Sequence, residues 1–182
     1  EMNTHGVWSA TVKRDLDGVA YQFRVYHEES FYQDTRDPYS IALSLDNKKS
    51  LVVNPKRLVP RGYEKVTKQA SWRNANACSS VICEMHLRDF SISETSGVKK
   101  SYRGTYLGAC QKGTKNAQGD VTGFDYLKRM GYNYVQLQPV FDHHKTYDKD
   151  GKLLYNWGYD PENYNVPDRQ FAADQKNPVA PI

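Results

Sequence analysis

Between residues 6 and 28 apolar and polar side chains alternate. Trp8, Ala10 and Val12 fall on one face, Asp15-Leu16-Asp17-Gly18 interrupts, and Val19, Tyr21, Phe23 and Val25 resume the alternation. A period of two with a polar interruption predicts a β-hairpin with one buried face. A second pair follows at residues 41–45 and 50–53, joined by Asp46-Asn47-Lys48-Lys49 and preceded by the turn Asp37-Pro38-Tyr39. The first 55 residues are therefore expected to form antiparallel β-structure, four strands of a thin and incomplete sandwich with further strands upstream.

Residues 55–80 show no sustained period and mix Pro55, Pro60 and Gly62 with charges, the composition of a connector. A boundary is expected near residue 75, with Trp72 pinning the connector to a domain face. The pattern then changes. Residues 81–87 form a short, mostly apolar run of strand length, whereas Phe124, Leu127 and Met130 recur at helical spacing. Thr122 and Asp125 suit the helix start as N-cap and capping-box partner, and Gly131 suits its end. Residues 134–137 resume a strand, with Val135 and Leu137 read as buried. Strand, helix, strand predicts a parallel pair with a right-handed crossover, and the loops leaving the C-terminal ends of such strands carry chemistry. Two loops qualify: Arg88-Asp89-Phe90, and the long stretch from Pro139 to Pro161.

Composition narrows the partners. The chain of 182 residues has 14 Tyr and 13% aromatic residues, and amphipathic rings stack on flat partners such as sugars or bases. Its 25 basic and 21 acidic residues give a formal charge of +4, but they are spread along the chain instead of forming the stripe of a nucleic-acid binder. Cys78, Cys83 and Cys110 form no CxxC pair and permit one bridge at most, so neither a disulfide framework nor a zinc site is expected. No membrane span is expected, no cofactor is indicated, and calcium dependence, compartment and oligomeric state stay open.

The stretch Tyr155-Asn156-Trp157-Gly158-Tyr159-Asp160-Pro161 concentrates three rings, an amide, a carboxylate, a permissive Gly and a rigid Pro in seven residues. It reads equally as a binding loop or as an aromatic turn packed on its own domain. Asp142, His143 and His144 stand together, but adjacent side chains of an extended chain face opposite ways, so the pattern reads as solvated loop and no metal is assigned. Asp89, Asp142, Asp160 and Glu162 lie on the chemistry-bearing loops, yet their spacing selects no glycosidase pair, and Asp89 beside Arg88 reads as a structural ion pair. GxSxG, P-loop and GxGxxG motifs are absent from the sequence.

The string YNWGYDP at 155–161, continued by Glu162-Asn163-Tyr164-Asn165-Val166-Pro167, resembles the signature of type I pullulanases in the α-amylase superfamily of glycoside hydrolases. EMHLRDFS at 84–91 and TGFDYLKRMGYNYVQLQPVFD at 122–142 are similar to the same family, and the block ending Asp37-Pro38-Tyr39 looks like its starch-binding-type β-sandwich module. The resemblance implies a partial sandwich at 1–55, a connector at 56–80, and at 81–182 the opening strand, helix and strand of a (β/α)8 TIM barrel. Such barrels run to about 250 residues, so a fragment is expected, unstable and aggregation-prone alone.

The resemblance implies that the chain is part of a debranching enzyme that hydrolyses α-1,6 bonds in pullulan and branched dextrins with retention. The family's three catalytic acids come from later strands, so no catalytic residue is assigned and the chain is expected to be inactive alone. Tyr159 matches the ring that stacks on the glucosyl unit at the cleavage subsite, Asp160 positions groups there, and Asn156 and Trp157 shape the loop. His86 lines the pocket floor or packs in the core. The expected partner is an α-glucan, with neither nucleic acid nor membrane. A non-catalytic α-glucan-binding protein or decayed remnant is the alternative, and a nucleic-acid-binding domain is the weaker third reading. Gln138, Cys83 and Pro181 depart from the family pattern, where an apolar residue, an aromatic and an Arg are usual.

Overall fold

The computed structural model describes residues 4–27, 30–69 and 76–182. Trp72 and the boundary expected near residue 75 lie outside the described residues. Strands β1 (Ala20–Tyr21), β2 (Phe23–His27), β3 (Ser30–Thr35) and β4 (Ser50–Leu51) form two antiparallel ribbons, β1 with β4 and β2 with β3. The second expected hairpin is present: Leu51 N donates to Ala42 O, Ser44 N to Lys49 O, and Asn47 turns the chain with φ 57°. Ala42, Leu43, Ser50 and Leu51 are buried there. The first hairpin differs from expectation. Residues 19–25 do not form one strand but split between the two ribbons, β2 finding its partner immediately downstream in β3. The expected buried face is open, with Trp8 76% exposed and Phe23 and Val25 exposed, because a two-stranded ribbon without a second layer cannot bury a face.

The connector is more ordered than its composition suggests, since α1 (Tyr63–Gln69) follows directly on Pro60 and Gly62. Beyond it, β5 (Ile82–Met85) and β6 (Tyr134–Leu137) pair in parallel, Ile82 opposite Tyr134 and Met85 opposite Leu137. The crossover carries α2 (Tyr106–Ala109) and α3 (Gly123–Arg129). Gly131, at φ 82°, closes α3 as expected. Its start is built differently: the Thr122 side chain makes no cap hydrogen bond but donates to Ser96 O at 2.5 Å, and Asp125 accepts from the Gly113 amide at 2.5 Å. The side chains thus tie the helix start to the crossover loop instead of to its own amides. Val135 and Leu137, expected to be buried, are exposed, as are Phe124 and Met130 on the helix face; only Leu127 is buried. One parallel pair covers neither of its own faces.

The stretch from Pro139 to Pro161, expected to be a loop, contains strand β7 (Phe141–His143), which pairs antiparallel and in irregular register with β8 (Pro161–Pro167) at its end. The core lies beneath it. Leu87, Ala109 and Phe171 form its centre, with Met85, Phe90, Tyr106 and Val140 packed around them. Tyr106 donates to the carbonyls of Val140 and Asp168 at 3.0 and 3.1 Å, fastening α2 to both sides of the β7–β8 hairpin. No described helix is long and apolar enough to cross a membrane.

Candidate functional site

Residues 144–160 form a long loop between β7 and β8, just beyond the C-terminal ends of β5 and β6. Its conformation is set by Asn156. That side chain accepts from the Gly158 amide at 2.9 Å and donates to His144 O at 3.1 Å and to both Asp160 carboxylate oxygens at 3.0 Å. Gly158 turns at φ 90°, a region that side chains with Cβ rarely adopt, and a Cβ there would meet Pro139 O at 3.0 Å and His143 Nδ1 at 3.4 Å. A buried glycine between Trp157 and Tyr159 lets the backbone press inward while both rings project outward, 61% and 63% exposed. Hydrogen bonding from Asn156 holds the Asp160 carboxyl below its ordinary value, with the nearby histidines adding to the effect.

Tyr155, the first ring of the stretch, points the other way. Its hydroxyl donates to Asp89 at 2.6 Å and its ring lies 5.3 Å from that of His86. Burial, then the Asp89 hydrogen bond, push the Tyr155 hydroxyl up to about 12, so it remains a donor at neutral pH. Burial of Asp89 is outweighed by its bonds with Tyr155 and Arg88, which keep its carboxyl ionised and low. His86 is 8% exposed and packs edge-on to Phe171 at 5.8 Å. Its Nδ1 accepts from the Asp89 amide at 3.4 Å, placing the proton on Nε2, which is buried and makes no hydrogen bond. Burial lowers its pKa, so the neutral ring is held. His86, Tyr155 and Phe171 border a cleft of about 300 Å³, with Arg88, Lys152, Leu154, Asn156 and Gln170 on its walls.

Beneath the loop lies a charged network that the sequence reading missed. Asp142 and His143, read as solvated, are buried, together with Asp168. Lys145 Nζ donates to Asp168 Oδ2 at 2.5 Å, to His143 O at 2.6 Å and to Asp142 Oδ1 at 3.4 Å. Asn163 donates to the other Asp142 oxygen at 2.6 Å. His143 Nδ1 faces two acceptors, Asp168 Oδ2 at 3.0 Å and Phe141 O at 3.2 Å, so it carries a proton, and Nε2 accepts from Gln170 at 3.0 Å. His144, on the opposite face as alternation requires, meets Glu162 at 3.0 Å. Lysine in a polar loop gives no sequence signal of burial, and Asp168 lies 23 residues from Lys145, so neither was legible beforehand.

The structure brings Asn156, Trp157, Tyr159 and Asp160 together in the loop, with His86 and Tyr155 on its other flank. Tyr159 and Trp157 do not line the cleft. Gln138, which departs from the family pattern, donates to Glu84 at 3.3 Å, and all three cysteines are free. A retaining glycosidase needs one carboxyl kept protonated as an acid and a second about 5–5.5 Å away. Asp89, Asp160 and Glu162 instead have lowered pKa values, Glu162 through His144 and then Arg36, and Asp142 is engaged by Lys145 and Asn163.

No family model matches the chain. Among known proteins it is 32% identical over 173 residues to the pullulanase of Bacillus subtilis, covering 95% of this chain and 23% of that one. It superposes on the pullulanase of Bacillus acidopullulyticus with a TM-score of 0.85 and 34% identity, over 99% of this chain and 21% of that structure. The pullulanase of Paenibacillus barengoltzii in complex with maltohexaose and α-cyclodextrin gives 0.84 and 33%, over 99% and 27%. The chain thus spans about a quarter of the length of the relatives it matches. Shared sequence and shared fold, both running through nearly all of its residues, make this chain a member of the pullulanase family.

Proposed function

We propose that the chain is the substrate-holding part of a debranching glycoside hydrolase that acts on α-1,6 bonds of pullulan and branched dextrins with retention. In this reading residues 1–55 are part of a carbohydrate-binding-type β-sandwich, 56–80 a connector, and 81–182 the start of a (β/α)8 barrel in which β5, α3 and β6 are the first strand, helix and strand. The observation that carries it is Tyr159, raised on the Gly158 turn and braced through Asn156 and Asp160 where loops leave the parallel pair. An exposed ring on a rigid loop offers a sugar its apolar face at little entropic cost. Trp157 would extend that surface, Asp160 and Asn156 would meet hydroxyls, and His86 would support the loop from below. The relatives crystallised with maltohexaose, α-cyclodextrin or maltotetraose support an α-glucan as the partner.

Among the described residues, the loop carboxyls Asp89, Asp160 and Glu162 are held below their ordinary values by hydrogen bonds and ion pairs, the opposite of what a general acid requires. The cutting groups are therefore assigned outside this chain. Incubation with pullulan tests both halves. Retention of the chain by the polymer without new reducing ends is the expected result. Reducing ends above a buffer control would overturn the assignment of the cutting groups, and absence of retention would overturn the substrate-holding role.

A further inference from the structure

The neck of the aromatic loop is closed from inside by short bonds. The His144 amide donates to Asp160 O at 3.1 Å, and Asn156 links His144 O with Gly158 and Asp160. None of these contacts fixes the loop to the rest of the chain. Glu162, in β8, does. One of its carboxylate oxygens meets His144 Nδ1 at 3.0 Å and the other meets Arg36 Nη2 at 3.2 Å. Arg36 follows β3, and its Nη1 donates to Asn47 O at 2.8 Å, at the left-handed turn of the second hairpin. The guanidinium is thus held by a turn on one side and spans 126 residues of sequence to hold Glu162, and through it His144 of the loop, on the other. Charge-assisted bonds on a planar fork fix direction as well as distance.

We infer that Arg36 and Glu162 are positioning residues for the aromatic loop, so that the N-terminal β-ribbons set the presentation of Tyr159 through Glu162 and His144. Other links join the same parts, Asn165 to Pro38 O at 3.0 Å and Arg169 to Leu45 O at 2.6 Å and Ser44 O at 3.3 Å. Loss of Arg36 therefore loosens the loop without separating the parts. The consequence for glucan rests on the proposed function; the consequence for the loop does not.

Amide hydrogen exchange on the full chain separates the two. In Arg36→Ala the amides of His144 and Gly158 should exchange about threefold faster or more, the scale of one partly exposed ion pair. Those of β6 should be unchanged, and Arg36→Lys should recover most of the protection. In the Arg36→Ala/Glu162→Ala double variant exchange should be no faster than in the worse single variant. Unchanged loop amides, acceleration spread evenly over β6, or additive effects would overturn the inference. A maltotetraose titration of the same variants is the second arm. Faster loop exchange with unaltered affinity supports the positioning role while counting against glucan at Tyr159.

Discussion

Replacing Lys145 with Met removes the cation at the centre of the buried network under the aromatic loop. Asp168, 2% exposed at its side chain, loses a contact of 2.5 Å, Asp142 loses one of 3.4 Å, and His143 O loses one of 2.6 Å. Removing one partner of a buried ion pair costs about 3–5 kcal/mol because the remaining charge stays desolvated. Here the low end applies. Asp168 Oδ1 still accepts from the Gln170 amide at 2.9 Å, Oδ2 keeps His143 Nδ1 at 3.0 Å, and Asp142 keeps Asn163 at 2.6 Å. The expected loss is about 3 kcal/mol, a large share of the 5–15 kcal/mol typical of a domain. With a urea slope of about 2 kcal/mol per molar, the unfolding midpoint should fall by about 1.5 M. Lys149→Met, in an exposed part of the same loop, is the control and should change stability by less than about 0.5 kcal/mol. Adding Asp168→Asn to Lys145→Met should restore part of the loss by removing the uncompensated charge. A loss below about 1 kcal/mol for Lys145→Met would refute the reasoning, since the pair would then behave as a solvent-screened surface contact.

Gly158→Ala forces a Cβ onto a backbone at φ 90° and against Pro139 O at 3.0 Å; it should cost about 1–3 kcal/mol, measured by the same urea titration. His86→Phe keeps the ring packing but removes both the buried Nε2 donor and the Nδ1 acceptor of the Asp89 amide, opposing effects that should leave stability within about 1 kcal/mol of the parent; a larger loss would contradict an unpaired Nε2. Acid should destabilise in two stages. His86 has a folded pKa below its ordinary 6.5, so its contribution is complete above that pH and is lost as pH falls below it. Asp160 and Glu162, lowered from 3.8 and 4.5, contribute above those values and fail at lower pH, as their folded pKa values are crossed. Thermal unfolding scanned across pH should show both stages, and His86→Phe should abolish only the first.

The sequence made the scaffold of the site legible where one period ruled. Residues 123–130 and 134–137 carry clear helical and strand signals, and α3, β6 and the β5–β6 pairing stand where those signals put them. The Asp46–Lys49 turn was readable because its residues favour the left-handed position that Asn47 occupies. Burial was misjudged because apolar pattern states which face wants covering, not whether a layer covers it; Val135, Leu137 and Trp8 are exposed for that reason. β7 and β8 were hidden by polar residues and by Pro161 and Pro167, which weaken strand signals. The candidate loop was legible in its rings and in Gly158, whereas Arg36, Lys145 and Asp168 act through tertiary neighbours that no local spacing reveals.

Calorimetric titration of the chain with maltotetraose tests the central claim most directly. The account predicts saturable binding that Tyr159→Phe retains, because the stacking face survives, and that Tyr159→Ala weakens about tenfold or more, the loss of a ring contact of ~1.4 kcal/mol. Binding undiminished in Tyr159→Ala, or no binding by a chain that unfolds cooperatively, would contradict it.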